Sequence, residues 1–501
     1  MDMSVHKRPI PGRLTLLLAV GLSAVGCAVF ASTSVAAVPP SGLNCVASDG
    51  KINGRGATFQ ERAQVTVFAP AYRDDFCGNT PKEVEDAAGN TMIAYNYQEA
   101  KTASATGSGA GLRAASCRTD AYAGTDIPYT VAQLKELNEK AGTLGNTEGK
   151  GNCNAITTFT PPFQPNSPKS WPDEEAGKED STSPVMSFPV AGSGVAPMTN
   201  LTSATCGTKA PPTSLNFTGR ELSRIFGGNA LKWDDAELVA SNPGVAPAGL
   251  EGCTGVITRI VRQDTSGTTN IFKQYLIKVD NERTGATCAA GEKWSGKYFE
   301  TNTEWPGKQK PTEEGTCSKI ETGAKSGNAE EIAKLKTVEG GIGYADLNEA
   351  EGSALLLPNI QNATSTSFQP PAIGKAANCD LKKLEAPPGI SASEAVGLNE
   401  KNNWANNNDI INKTGNHENA TNLGEKFPIC GITFMLVYKG LDNGGVANPI
   451  SRLTADQRRT LYSYSTFILS SAAQELLGSS FYAPLPSGWL TKLRVGFQEN
   501  F

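Results

Sequence analysis

The chain has 501 residues, 39% of them hydrophobic, and 45 Lys and Arg against 50 Asp and Glu give a net charge of −5. That balance supplies no positive field for nucleic acid or an acidic membrane surface, so a bound anion must rely on local donors. The only histidines are His6, near the start, and His417, in an Asn-rich stretch, which argues against a histidine-based catalytic triad.

The first element reads as an export signal over residues 1–37. Lys7, Arg8 and Arg13 form a basic start, residues 14–31 are apolar apart from small Ser, Thr and Gly positions, and Ser34-Val35-Ala36-Ala37 suits a signal peptidase. A membrane anchor is the competing reading, since about 18 apolar residues is the lower limit for spanning a bilayer. The basic flank and Ala-rich exit favour cleavage. Lipidation at Cys27, within Ala24-Val25-Gly26-Cys27, is a third outcome, although the Leu usual three positions earlier is missing. No later segment is apolar enough to cross a membrane. An exported protein is expected, periplasmic or at the cell surface or extracellular.

About 460 residues remain, enough for two or three domains. Phe59, Ala63, Phe68, Tyr72 and Phe76 fall largely on one helical face. Residues 143–183 are rich in Gly, Pro, Asn and charge and read as a surface insertion. Residues 186–191 read as a strand, and Thr218-Gly219-Arg220-Glu221 is a capping box opening a helix through Leu222, Ile225 and Phe226. Residues 255–262 read as a strand, followed by a helix carrying Ile271, Phe272, Tyr275, Leu276 and Val279. Residues 301–328 and 402–422 are further polar insertions. Residues 432–438 read as a strand, and Thr454-Ala455-Asp456-Gln457 opens a helix running to Leu477 before Gly478. No internal repeat is apparent. Mixed strands and helices of this kind argue for an α/β protein.

Of eleven cysteines, Cys27 lies in the signal. The other ten are Cys45, Cys77, Cys117, Cys153, Cys206, Cys253, Cys288, Cys317, Cys379 and Cys430. An even count in an exported chain points to structural disulfides of open connectivity. No Cys-x-x-Cys or zinc-like Cys/His spacing occurs, so no metal or other cofactor is expected.

Three Gly-rich segments precede expected helices: Gly54-Arg55-Gly56-Ala57-Thr58-Phe59, Gly107-Ser108-Gly109-Ala110-Gly111, and Arg262-Gln263-Asp264-Thr265-Ser266-Gly267-Thr268-Thr269. Helix N-termini present unpaired N–H groups and partial positive charge, Gly permits close approach, and Ser and Thr add hydroxyls. Each segment alone is more often an ordinary helix cap. Arg262 with Asp264 could be a surface ion pair, and Asp126, before Pro128, a turn residue. Their occurrence together in one chain raises the anion-binding reading.

In this order, together with Gly124-Thr125-Asp126, the hinge-like Phe188-Pro189-Val190, Thr218-Gly219, Ile225-Phe226-Gly227, Lys232-Trp233-Asp234, Gly340-Gly341-Ile342-Gly343-Tyr344 and Tyr482-Ala483-Pro484-Leu485-Pro486, the motifs resemble a known family. It is the phosphate-binding component of the high-affinity phosphate ABC transporter, a periplasmic-binding-protein-like type II family. The match runs from about Gly54 to Leu493, and the Arg-x-Asp-x-Ser-Gly-Thr-Thr run is its most specific part. The resemblance implies two α/β lobes, a hinge and an interlobe ligand cleft, with residues 38–188 and 431–501 in the first lobe and 189–430 in the second. It implies that Thr58 and Phe59 donate backbone N–H groups to inorganic phosphate, with the Thr58 hydroxyl assisting. Ser108, Ser266 and Thr268 would donate through hydroxyls and Gly267 through its backbone. Arg262 would supply the positive charge, held by Asp264. It further implies a monomer that hands phosphate to a membrane permease, and no enzymatic turnover.

Asp126 then acquires a role. Phosphate near neutral pH keeps a proton, which an ionised carboxylate can accept, whereas sulfate has none to offer. Leaving that acceptor unpaired costs on the order of 1–3 kcal/mol or more, so selection of phosphate over sulfate is expected. Two departures from the family pattern stand out. Arg55 occupies a position where a small residue is expected and is read as pointing to solvent, and Thr125 replaces the usual Ser but keeps the hydroxyl. The large Cys-containing insertions leave a secreted phosphate scavenger or adhesin of the same fold as the alternative. A secreted phosphatase is less favoured, since no histidine set or carboxylate cluster for it is evident.

Overall fold

The computed structural model describes residues 51–76, 93–96, 107–117, 120–127, 185–300, 303–307, 317–322, 327–383, 425–438, 442–443, 446–447, 453 and 455–500. The export signal, Cys27, Cys45, Cys77, Cys153 and the insertions at 143–183 and 402–422 lie outside them, as does the side chain of Cys117.

Nine strands form the main sheet: β1 (Ile52–Gly56), β2 (Ile93–Asn96), β3 (Tyr122–Thr125), β4 (Val185–Asn200), β5 (Thr258–Val261), β6 (Lys319–Thr322), β7 (Gly341–Asp346), β8 (Cys430–Tyr438) and β9 (Tyr482–Ala483). Their order is β2-β1-β3-β8-β4-β7-β5-β6, with β9 also on β4. β1 runs parallel to β2 and β3, and β5 parallel to β6 and β7. The long β4 joins two halves. Val185 to Gly194 pair antiparallel with β8, and Val195 to Asn200 pair antiparallel with β7. The partner changes between Gly194 and Val195, beyond the Phe188-Pro189-Val190 motif. The chain crosses back beside it, where the Val195 N–H donates to Ile429 O at 2.8 Å.

The strand read at residues 186–191 thus runs further than expected. Gly192-Ser193-Gly194 resembles a turn in sequence, yet a Cβ on Gly192 would sit 2.4 Å from a Leu381 methyl, so a glycine is needed for close packing there. Pro189 stands in the strand interior, where it cannot donate to the ladder. The register slips opposite it between Thr433 and Phe434, skipping Val190, and Gln474 Nε2 donates to the Val190 carbonyl at 2.8 Å. The bulge accommodates the proline and leaves that buried carbonyl paired.

Helices follow the parallel strands. Helix α1 begins after β1 at Thr58–Arg62, widens to π turns over Ala63–Phe68 and resumes over Ala69–Phe76. Pro70, without an N–H, cannot continue the α-helical ladder. Helix α2 (Gly107–Cys117) follows β2, and the expected capping box opens α3 (Gly219–Phe226). Helix α4 (Gly267–Asp280) follows β5, α5 (Gly327–Thr337) precedes β7, and α6 (Leu347–Glu351) follows it. The C-terminal helix expected to reach Leu477 is instead two, α7 (Ala455–Ile468) and α8 (Ser471–Leu476). Ser470 stops the first and caps the second, its Oγ accepting from Ala473 N at 3.2 Å.

Three disulfides are described, Cys206–Cys253, Cys288–Cys317 and Cys379–Cys430. The last ties Cys379 to Cys430 at the start of β8. The polar stretch read at 301–328 contributes Trp305, buried beside Trp294, Phe226 and Tyr344.

Candidate anion site at the strand ends

The carboxyl ends of β1, β3, β5 and β7 bring Thr58, Asp126, Arg262 and Asp346 to one place, where ligands of open α/β sheets characteristically bind. Glycines allow this convergence. Gly56 has φ +145°, and a Cβ there would lie 1.9 Å from Gly124 O; one on Gly111 would lie 2.0 Å from the same atom. The first turns of α1 and α2 are thereby drawn against the end of β3.

The Thr125 hydroxyl shapes the next turn, accepting from Ile127 N at 3.0 Å and donating to Ile127 O at 2.9 Å. This turn presents Asp126. Ser108, at the start of α2, donates from Oγ to Asp126 Oδ2 at 3.1 Å and accepts from Asp126 N at 3.0 Å. Asp126 Oδ1 is buried with no hydrogen-bond partner, although the Thr433 hydroxyl lies close enough to favour the ionised form. The start of α4 presses on this pair from the other half of the sheet. A Cβ on Gly267 would come 2.3 Å from Asp126 Oδ2 and 2.4 Å from Ser108 Oγ, and Gly109 N donates to Thr265 O at 3.1 Å.

Arg262 and Asp264 form a fully buried pair, not a surface one. The Arg262 Nε donates to Asp264 Oδ1 at 2.6 Å, one terminal nitrogen to Oδ2 at 2.5 Å, and the other to Asn328 Oδ1 at 2.6 Å. Burial opposes the guanidinium charge, but attraction and hydrogen bonding to Asp264 outweigh it and raise the pKa above the ordinary arginine value. Asn328 Nδ2 bonds Asp346 Oδ2 and donates to Thr58 Oγ1 at 3.2 Å, while Thr268 Oγ1 donates to Asp346 Oδ1 at 2.7 Å. Ser266 caps α4, accepting from Thr269 N at 3.1 Å. Phe59 is buried, and its carbonyl accepts from the Tyr482 hydroxyl at 2.7 Å.

Thr58, Phe59, Ser108, Asp126, Arg262, Asp264, Ser266, Gly267 and Thr268 are therefore all buried around these strand ends. Arg55 is separate: it pairs with Asp120 at 3.1 Å rather than pointing freely to solvent. Sequence reasoning missed Asn328, Asp346 and Thr433. Asn328 falls in a stretch that reads as a polar insertion. Asp346 carried a usable signal, an acidic residue ending the buried strand that begins at Gly341.

The site is rich in strained carboxyl groups. Burial, then the nearby Asp346 charge, pushes Asp126 up to about 8, against the lowering effect of Thr433, Ser108 and Arg262. Burial raises Asp346 to about 6 despite Thr268, Arg262, Asn328 and Thr58. Glu61 and Glu349 rise to about 7 and about 8, first through burial and then through Asp346. One arginine, already matched by Asp264, cannot balance these groups. The donors suit an oxyanion; the carboxylates suit one that brings protons.

Residues 171–387 match the PBP superfamily domain. The phosphate-binding protein PstS of Xylella fastidiosa (strain Temecula1) is 27% identical over 319 residues, covering 63% of this chain and 67% of that one. Phosphate-binding protein PstS 3 of Mycobacterium leprae is 33% identical over 161 residues, 32% of this chain and 35% of the relative. Among solved structures, a phosphate-binding protein from Stenotrophomonas maltophilia superposes with a TM-score of 0.51 at 15% identity, covering 89% of this chain and 93% of that one. A human phosphate binding apolipoprotein gives 0.52 at 16% identity with the same coverage. The solved structures show a two-lobed α/β architecture, and within it residues 171–387 resemble the PBP superfamily domain, the curated relatives being named phosphate-binding proteins.

Proposed function

We propose that this chain is an exported solute-binding protein that closes on inorganic phosphate between two lobes and delivers it to an ABC importer. The observation that carries the reading is the packing of α4, from one half of the sheet, onto the Ser108–Asp126 pair of the other. The lobes would be residues 38–188 with 431–501, and 189–430, crossing near Gly194 and Ile429. The N-termini of α1, α2 and α4 would contribute N–H groups at Thr58, Phe59, Ser108, Gly267 and Thr268. Arg262 uses three of its five N–H groups on Asp264 and Asn328, which leaves two for an oxyanion. Asp126 Oδ1 would accept the phosphate proton and exclude sulfate.

Among the described residues no group of His, Cys, Asp and Glu could hold a metal, and no helix is long and apolar enough to cross a membrane. Binding without turnover, action as a monomer and delivery to a permease complete the proposal, with a scavenger of the same fold as the second reading. Calorimetry on protein stripped of anions by unfolding and refolding tests it. Micromolar or tighter phosphate binding with far weaker sulfate binding is expected. Sulfate binding as tight as phosphate, or release of phosphate from an ester substrate, would overturn it.

A further inference from the structure

Asp126 has a counterpart in the other half of the sheet. Asp346 ends β7, is fully buried, and lies at the same first turn of α4: Gly267 packs on Asp126, and the next residue, Thr268, donates to Asp346. A hydroxyl has one proton. That of Thr268 lies on Asp346 as that of Ser108 lies on Asp126. Asn328 Nδ2 fixes the other Asp346 oxygen and reaches Thr58 in the opposite lobe, and the Thr58 hydroxyl also favours ionised Asp346.

Resting on the phosphate-binding reading, we propose that Asp346 is a second specificity-determining carboxylate, which with Asp126 makes the cleft select an oxyanion bearing two protons over a fully ionised one. With Arg262 matched by Asp264, both aspartates ionised and a doubly charged ligand would gather four negative charges against helix N-termini alone. Each proton kept by the ligand converts a repulsion into an O–H···O hydrogen bond. The charged and titratable groups around Asp346 act in the same sense. Among the described residues, Glu61 of α1, Glu349 of α6, Glu331 of α5 and Asp126 add to the negative potential, Arg262 opposes it, and the Tyr482 phenol beside them stays neutral.

The reaction is proton uptake from solvent: monohydrogen phosphate plus one proton gives bound dihydrogen phosphate, with no covalent bond between protein and ligand. Calorimetry at pH 8.5 in buffers of different ionisation enthalpy counts those protons. The parent should take up close to one proton per phosphate, and Asp346→Asn, with Asp126 intact, should lower this towards zero, because only one acceptor then demands a proton. D346N should also bind sulfate at least tenfold more tightly than the parent. No uptake by the parent at pH 8.5 overturns the proposal even if D346N does not fold. Equal proton counts and equal sulfate affinities in parent and D346N overturn it while phosphate binding stands; a parent that binds no phosphate at any pH overturns the underlying reading and this proposal with it.

Discussion

Replacing Arg262 separates stability from binding. In Arg262→Met the methionine fills the buried volume, but Asp264 loses two charge-assisted hydrogen bonds and Asn328 Oδ1 loses one. Breaking one partner of a buried pair costs about 3–5 kcal/mol, because an uncompensated charge remains. The pair is buried on both sides, with side-chain exposures of 1% and 0%, so solvent screening offers no relief. Adding Asp264→Asn removes the orphaned charge, and R262M/D264N should recover most of the loss, since buried pairs replaced as a unit are often close to neutral. Phosphate affinity should not recover, because the Arg262 guanidinium is gone. Urea unfolding of parent, both single variants and the double variant, with phosphate titrations of each, checks both halves. An R262M stability within about 1 kcal/mol of the parent would contradict the burial argument. A double variant that binds phosphate like the parent would remove Arg262 from the site.

Other consequences follow from the same geometry. Asp126→Asn should lower the phosphate-to-sulfate affinity ratio at least tenfold while changing phosphate affinity less, as competition titrations would show; an unchanged ratio refutes proton reading by Asp126. Gly267→Ala places a methyl about 2.3 Å from Asp126 Oδ2, where the two halves of the sheet meet. Overpacking of about 1–3 kcal/mol there should weaken phosphate binding roughly ten- to hundredfold with little change in unfolding of the separate lobes. Stability should also fall with pH. Asp126 and Glu349 rise to about 8, Glu61 to about 7 and Asp346 to about 6. Carboxyls with raised folded pKa values bind more protons folded than unfolded, so their stabilisation is complete below about pH 4 and is lost as pH climbs through 6 to 8. Melting in anion-free buffer should therefore be higher at pH 5.5 than at pH 8.5, and a flat or rising profile contradicts the burial of these groups.

What was legible in the sequence was local. The run from Arg262 to Thr268 carries strand end, ion pair, cap and helix start within a few residues, and the structure assembles them in that order. The capping box at Thr218 was legible for the same reason. Ser470 was misread because an apolar stripe continues past it, while its cap depends on a backbone turn that periodicity does not register. Gln457 Nε2 donates to Lys51 O at 2.9 Å, a contact made only by the folded chain. Asn328 and Asp346 were missed because their importance arises from what faces them. Asn328 gains its role from Arg262, Thr58 and Asp346, which sequence distance conceals. The strand read at residues 186–191 runs on to Asn200 through glycines, one of which admits Leu381, a packing need that a strand pattern does not register.

Arsenate, a heavier analogue of phosphate that keeps its protons near neutral pH, offers the most direct test of where the anion sits. Crystals grown with arsenate should show one anomalous peak within hydrogen-bonding distance of the Arg262 guanidinium, the backbone N–H groups of Phe59 and Gly267, and Asp126 Oδ1. A peak elsewhere, with those donors still bonded only to one another, would contradict the account.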